Sequence, residues 1–321
     1  MRGLRAATTL CAFLAFAIFG DVAVAAASDH VAVPDRALPK VAYRTGPYAV
    51  GGLRSSRRLA RGIYNAQDHE LPWQAIGYGR WASGIPAVGR LRFVKPDGKS
   101  ATCTATVVTK ALLLTAGHCV RDGDTGAWYH KFEFSPKQYG SSKPYGVFKG
   151  KKSYVSKAWG NPSAPHFHPR DFAFVRVASN GTGHDVSEYT GAYSIGINAP
   201  LYQRVLHVGY ASEGGFDGCT SLSCYPWYCD SQIQVVHKYV SPIDTGYSVG
   251  FSCLTTGGAS GGPVFQNVDG APQITSVLSH GAGSKHVTDP KTGKSHRETN
   301  TGYGPRFSSR IASLFAYATS H

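Results

Sequence analysis

The chain has one methionine in 321 residues, only 16% charged residues, and acids scarcer than bases, 19 Asp and Glu against 33 Lys and Arg. Sparse charge without heptads excludes a coiled coil, and 42% apolar content excludes wholesale disorder. Long hydrophobic runs are missing as well. The stretch from Leu10 to Phe19 falls short of the roughly 20 residues that span a bilayer, and Asp21 breaks the apolar character just beyond it. No internal repeat is present. What the chain has in quantity is glycine (38), proline (18) and aromatics (12%), the composition of a β-rich, turn-rich protein.

The N-terminus combines Arg2 and Arg5, the short apolar stretch and Ala25-Ala26-Ala27. That pattern reads as a signal peptide over residues 1–27, cut before Ser28. The mature chain is then expected outside the cytoplasm, extracellular or periplasmic, with no membrane attachment. Cys11 leaves with the signal, and Cys103, Cys119, Cys219, Cys224, Cys229 and Cys253 remain. An even number in an exported chain implies disulfides. The Cys219–Cys224–Cys229 spacing lacks the C-x-x-C knuckle of structural zinc. Residues 1–80 hold ten Lys/Arg and five Asp/Glu, leaving 23 and 14, or +9, for residues 81–321. Those charges are scattered rather than interleaved with aromatics, so a solvated basic surface is expected and a nucleic-acid partner is not. The polar stretch Ser284–Arg297 reads as an exposed loop.

Residues 28–80 differ from the rest. They hold Pro34, Pro39, Pro47, no cysteine and a basic cluster from Arg54 to Arg61, and read as a pro-segment or an extended arm. From Trp81 the texture changes to short β-type runs between turn signals: Gly89–Val94, Thr102–Val108, Ala111–Thr115, Phe172–Val177, Val205–Val208, Gln232–Val240, Pro263–Phe265 and Ile274–Leu278. Several are apolar on both faces, as inside barrels or sandwiches. The tail 308–318 carries Ile311, Leu314, Phe315 and Ala318 at helical spacing and predicts a docked terminal helix.

Three segments bear chemistry. Leu114-Thr115-Ala116-Gly117-His118-Cys119 ends an apolar strand; Arg170-Asp171-Phe172-Ala173 opens another; Gly257-Gly258-Ala259-Ser260-Gly261-Gly262-Pro263 is a glycine-rich turn around one hydroxyl. A serine hydroxyl becomes a nucleophile when an imidazole takes its proton, and the imidazole needs a carboxylate to fix its tautomer. Glycines at Ser260 permit a turn that aims backbone amides at one point, an oxyanion hole. Alone, each segment has a plain structural reading as a turn, a cap or a packed histidine. Their joint occurrence in the order His, Asp, Ser points to acyl transfer.

These segments resemble the trypsin/chymotrypsin-like serine peptidases, and in particular the bacterial secreted, glutamyl-endopeptidase-like branch. The likeness runs from Ile85 to about Phe315, with Val88-Gly89-Arg90-Leu91 opening the domain and Gly209-Tyr210 before the later cysteines. It implies an all-β fold of two packed six-stranded antiparallel barrels (about 85–185 and 195–306) followed by the terminal helix. It implies His118 as general base, Asp171 as its orienting carboxylate, Ser260 as nucleophile, and the Gly258 and Ser260 amides as oxyanion hole. It pairs Cys103 with Cys119 and Cys229 with Cys253, leaving Cys219 and Cys224 to close a small loop. Ser279, His280 and Gly281 fall on the strand that meets substrate, where His280 is a candidate ligand for an acidic P1 side chain. Leu254 stands where trypsin-like members carry an acid, so an Arg/Lys preference is not expected. Ala259 replaces the aspartate that pairs with a new N-terminus in animal zymogens, so any activation of a zymogen takes another route. The resemblance implies protein or peptide substrates, a monomer, and no cofactor or metal. His166 and His168, between Pro165 and Pro169, read as an exposed loop rather than metal ligands. The rival functions are a catalytically silent binding protein on the same fold and a basic secreted protein that binds a polyanion.

Overall fold

The computed structural model describes residues 29–33, 74–75, 85–164, 166–210, 226–255, 257–288 and 295–321. The expected signal peptide, most of the expected pro-segment, and Cys219 and Cys224 lie outside them. The strands are β1 (Asp29–Val33), β2 (Gln74–Ala75), β3 (Val88–Val94), β4 (Ser100–Val107), β5 (Leu112–Thr115), β6 (His130–Pro136), β7 (Phe148–Ser156) and β8 (Ala173–Val177). After the short helix α1 (Val186–Thr190) come β9 (Arg204–Tyr210), β10 (Pro226–Val240), β11 (Thr245–Thr255), β12 (Pro263–Val268), β13 (Ala271–Val277), β14 (His280–Thr288) and β15 (Ser295–Pro305). Helix α2 (Ser309–Ser320) ends the chain.

Strands β3 to β8 close into a barrel, because β7 and β8 pair antiparallel and join the two ends of the order β7-β6-β3-β4-β5-β8. β1 adds to β7 in parallel. Leu112, Leu113 and Leu114 are all fully buried, which explains why this strand is apolar on both faces. One face fills the barrel and the other is covered from outside. Part of that cover is α2, whose Phe315 and Tyr317 rings meet Phe174 (5.5 Å) and Tyr154 (6.3 Å) on the barrel wall. Ile311, Leu314 and Ala318 are buried on the same helix. At about 1.5–3 kcal/mol for each large side chain removed from water, this ties the end of the chain to the first barrel.

The second sheet departs from the six-stranded barrel expected. It contains eight strands in the order β13-β12-β9-β10-β11-β15-β14, with β2 on β10. Among the described residues no ladder pairs its two ends, β13 and β14; single hydrogen bonds, Ser279 N to Tyr303 O (2.8 Å) and Phe307 N to Thr275 O (3.3 Å), tie β13 and its link to β14 onto β15 and the residues after it. The extra length comes from β14 and β15, which pair Lys285 with Glu298 and His286 with Arg297. Residues 284–288 and 295–297 therefore lie in strands, where polarity suggested an exposed loop, and 289–294 lie outside the described residues. An edge pair needs no apolar alternation, so nothing in its composition marks it as β. The core of this half comprises Val205, Cys229, Ile233, Val249, Phe251, Cys253, Val264 and Leu278. Disulfides join Cys103 to Cys119 and Cys229 to Cys253.

Candidate active site

His118 lies in a single 3₁₀ turn, Gly117–Cys119, directly after β5. Asp171 follows another, His168–Arg170, directly before β8. Because β5 and β8 pair with Thr115 opposite Ala173, the two turns emerge side by side. The backbone N–H of His118 donates to Asp171 Oδ1 (2.7 Å) and its Nδ1–H to Oδ2 (2.8 Å). The Ser279 hydroxyl also donates to Oδ2. Asp171 is 1% exposed, and burial alone would raise its pKa; the His118 charge and these hydrogen bonds outweigh that and hold it below the ordinary carboxylate value. For His118, burial disfavours the imidazolium, and the charge and hydrogen bond of Asp171 more than offset it, so its pKa is raised. The result is an imidazole with Nδ1 engaged and Nε2 left for chemistry.

Ser260 sits in a turn held from both halves of the molecule. Thr104 of β4 donates its N–H to Ser260 O (2.8 Å) and its hydroxyl to Gly258 O (3.0 Å). The same hydroxyl oxygen accepts from Tyr210 N at the end of β9 (2.8 Å). Gly261 has φ +78°, and a Cβ there would stand 2.1 Å from Thr115 Oγ1 and 2.4 Å from Thr104 O. Only glycine fits that close approach, and it sets the serine's turn against Thr115–Ala116, beside the histidine's turn. The amide N–H groups of Gly258 and Ser260 make no hydrogen bond with any described residue. That is the condition for binding a developing oxyanion.

Ser279 and His280 lie beside this centre. Ser279 gives its hydroxyl proton to Asp171, so its oxygen can only accept from His280 Nδ1 (3.1 Å). The His280 ring stacks on His168 at 3.8 Å and on Tyr303 at 5.2 Å. Burial first, then the neighbouring His168, push its pKa down to about 4. His168 thus packs inward on His280, in contrast to the exposed loop read around it, while His166 meets Asp124 near the surface (2.7 Å). The loop reading missed this because His168 belongs to the turn that carries Asp171.

Sequence reasoning also missed the supports. Thr104 has no signal beyond its place after a cysteine. Trp159, 1% exposed, donates Nε1–H to Arg121 O (2.9 Å) and underlies the His118 turn, with ring centroids 6.4 Å apart. His207, fully buried behind the serine's turn, donates Nδ1–H to Pro263 O (3.1 Å), and burial drives its pKa down to about 3.

A closed β-barrel beside a second sheet, with a part-buried histidine on a buried aspartate and a glycine-framed serine at their junction, is the arrangement of a serine-type peptidase. The chain belongs to the trypsin-like peptidase domain family, whose model matches residues 103–272. It is 26% identical over 186 residues to an extracellular metalloprotease of Bacillus subtilis, covering 57% of this chain and 52% of that protein. It is 26% identical over 167 residues to a glutamyl endopeptidase of Bacillus licheniformis, covering 51% and 45%. The chain thus spans about half the length of these curated relatives. A solved thermostable serine protease, AL20, from an extremophilic microorganism superposes with TM-score 0.57 at 25% identity, covering 73% of this chain and 97% of that one. The first relative's name invokes a metal, and the donor set here does not fit one. Among the described residues the grouping of three metal-ligand types is Cys103, His118 and Cys119. Its two sulfurs are bonded to each other, which leaves a single imidazole already committed to Asp171.

Proposed function

We propose that the protein is an exported serine endopeptidase that cleaves peptide bonds through an acyl-enzyme. Ser260 Oγ attacks the scissile carbonyl while His118 Nε2 takes its proton. The imidazolium formed is stabilised by Asp171, and the oxyanion is met by the Gly258 and Ser260 amides. His118 then protonates the leaving amine, and water repeats the sequence to release the acid. The observation that carries this reading is the doubly hydrogen-bonded His118–Asp171 pair beside a turn whose two amides make no hydrogen bond among the described residues. The paired sulfurs and the secreted character of the name borne by one relative support export. Substrate lies along Ser279–Gly281, at the start of β14, which is the end strand of its sheet among the described residues. At neutral pH His280 is uncharged, and with Nδ1–H given to Ser279 its Nε2 is an acceptor. His280 stays the candidate ligand for an acidic P1 side chain, whose carboxylate would itself favour the imidazolium, and cleavage after Glu or Asp is the result that supports it.

The test is to treat the secreted protein and its Ser260→Ala variant with a fluorophosphonate probe, then with a mixed peptide library read by mass spectrometry. Wild type alone is expected to be labelled and to cleave after one residue class. A folded, processed wild type that takes no label sinks the proposal in favour of a silent binding protein. Polyanion binding that survives Ser260→Ala, without cleavage, favours the basic-surface alternative.

A further inference from the structure

The acid of the site is attached covalently to the first barrel, but the turn that presents it is docked on the second half. Arg170, the residue before Asp171, is 3% exposed and sends its guanidinium to Asp244, with Nη2 bonded to Oδ2. Asp244 closes the turn between β10 and β11. Its side chain is only 7% exposed, and its other oxygen faces Arg310 of α2 at 3.5 Å. Asp244 is itself fixed: Oδ1 accepts from Thr245 N (2.8 Å), its own N–H donates to Ser241 Oγ (3.1 Å), and its carbonyl accepts from Ser241 N (2.9 Å). The surfaces interlock beside it, since a Cβ on Gly246 would fall 2.3 Å from Pro169 Cβ. One carboxylate from the second sheet thus meets a cation adjacent to the catalytic acid and a second cation on the terminal helix.

We propose that Arg170 and Asp244 form a clasp across the two halves that positions Asp171 for its work on His118. The inference rests on the proposed triad. Neither clasp residue touches substrate, and both act through the backbone of the His168–Arg170 turn. The planar guanidinium defines direction as well as charge. Asp171 has its Oδ1 and Oδ2 committed to separate His118 donors, so a small rotation of its turn spoils both bonds together. A displacement of about 1 Å at such a group can cost up to about 100-fold in rate. Arg310, half-exposed and at longer range, shields the pair and holds α2 beside it.

The experiment compares wild type, Asp244→Asn and Arg170→Lys. Each is checked for folding by near-ultraviolet circular dichroism and melting temperature, then for fluorophosphonate labelling, kcat and KM on a peptide cleaved from the library, and the pH profile of kcat/KM. The low-field proton of His118 Nδ1–H is recorded by NMR. Both variants are expected to lose roughly 10- to 100-fold in kcat with KM within about twofold. The acid limb should move to lower pH, because a misaligned Asp171 stabilises the imidazolium less, and the low-field resonance should weaken or shift. Asp244→Glu, which restores the charge, should recover part of the loss. A purely structural contact would lower the melting temperature and leave limb and resonance in place, and that result overturns the clasp. Should Asp244→Asn fail to fold, Arg170→Lys keeps both charges and carries the same expectation and the same overturning result. An unlabelled wild type overturns the triad reading and the clasp with it; a labelled wild type beside variants of unchanged kcat and acid limb overturns the clasp alone.

Discussion

At the residue scale the pair His118–Asp171 is the most demanding feature. Asp171 is almost fully buried as an anion, which is tolerable only because three donors meet it. Asp171→Asn keeps the shape but must turn an N–H toward Oδ2's former partners, which selects the other His118 tautomer. We expect turnover to fall about 10⁴-fold with little change in fold, measured as kcat on a peptide substrate beside a thermal melt; unchanged turnover removes Asp171 from the mechanism. The pH dependence derives from the same pair. In the proposed mechanism His118 must be neutral to accept the proton, and its pKa is raised, so kcat/KM should rise with pH as the imidazolium loses its proton.

At the element scale, the site depends on where strands end. Strand β5 delivers His118, β8 receives Asp171, and β4 supplies Thr104 to the serine's turn. Thr104→Val keeps the side-chain shape and leaves the Gly258 carbonyl and the Tyr210 N–H without their buried partner. Each such group costs roughly 1–3 kcal/mol. Urea melts should show that loss, and kcat should fall more than KM, since what is disturbed is the frame of the proposed oxyanion donors. The strands of the first barrel were legible where they are apolar, as in Gly89–Val94 and Ala111–Thr115, because burial on both faces leaves a continuous hydrophobic run. His130–Pro136, Phe148–Ser156 and Thr245–Thr255 were not, since lysine, glycine, serine and threonine dilute the pattern on their exposed sides. The triad candidates were legible because chemistry restricts residue type and the turns require glycine at fixed offsets. Arg170, Asp244 and Trp159 were not, because each matters through a partner distant in sequence, and no local pattern announces such a partner.

At the scale of the whole molecule, stability is coupled to acidity through buried histidine. His207 is neutral when folded, with a pKa of about 3 against about 6.5 in the unfolded chain. Between those values the unfolded chain holds a proton that the folded one refuses, so stability is present above about pH 6.5 and is lost as pH falls toward 3. The slope from one such group is about 1.4 kcal/mol per pH unit. His280, with its pKa near 4, acts in the same direction. His207→Asn retains a donor for Pro263 and removes the titration. Its melting temperature should vary less between pH 6.5 and 4 than that of wild type, and a parallel pair of curves would dismiss His207 as the source.

The bonds of Thr104 carry one more consequence. The hydroxyl that steadies Gly258 comes from 154 residues earlier in the chain, and its own acceptor role is filled by Tyr210 on the other sheet. Neither half alone can complete the serine's turn, and contacts so distant along the chain form late. The proposed hydrolytic activity is therefore expected only once both halves have docked.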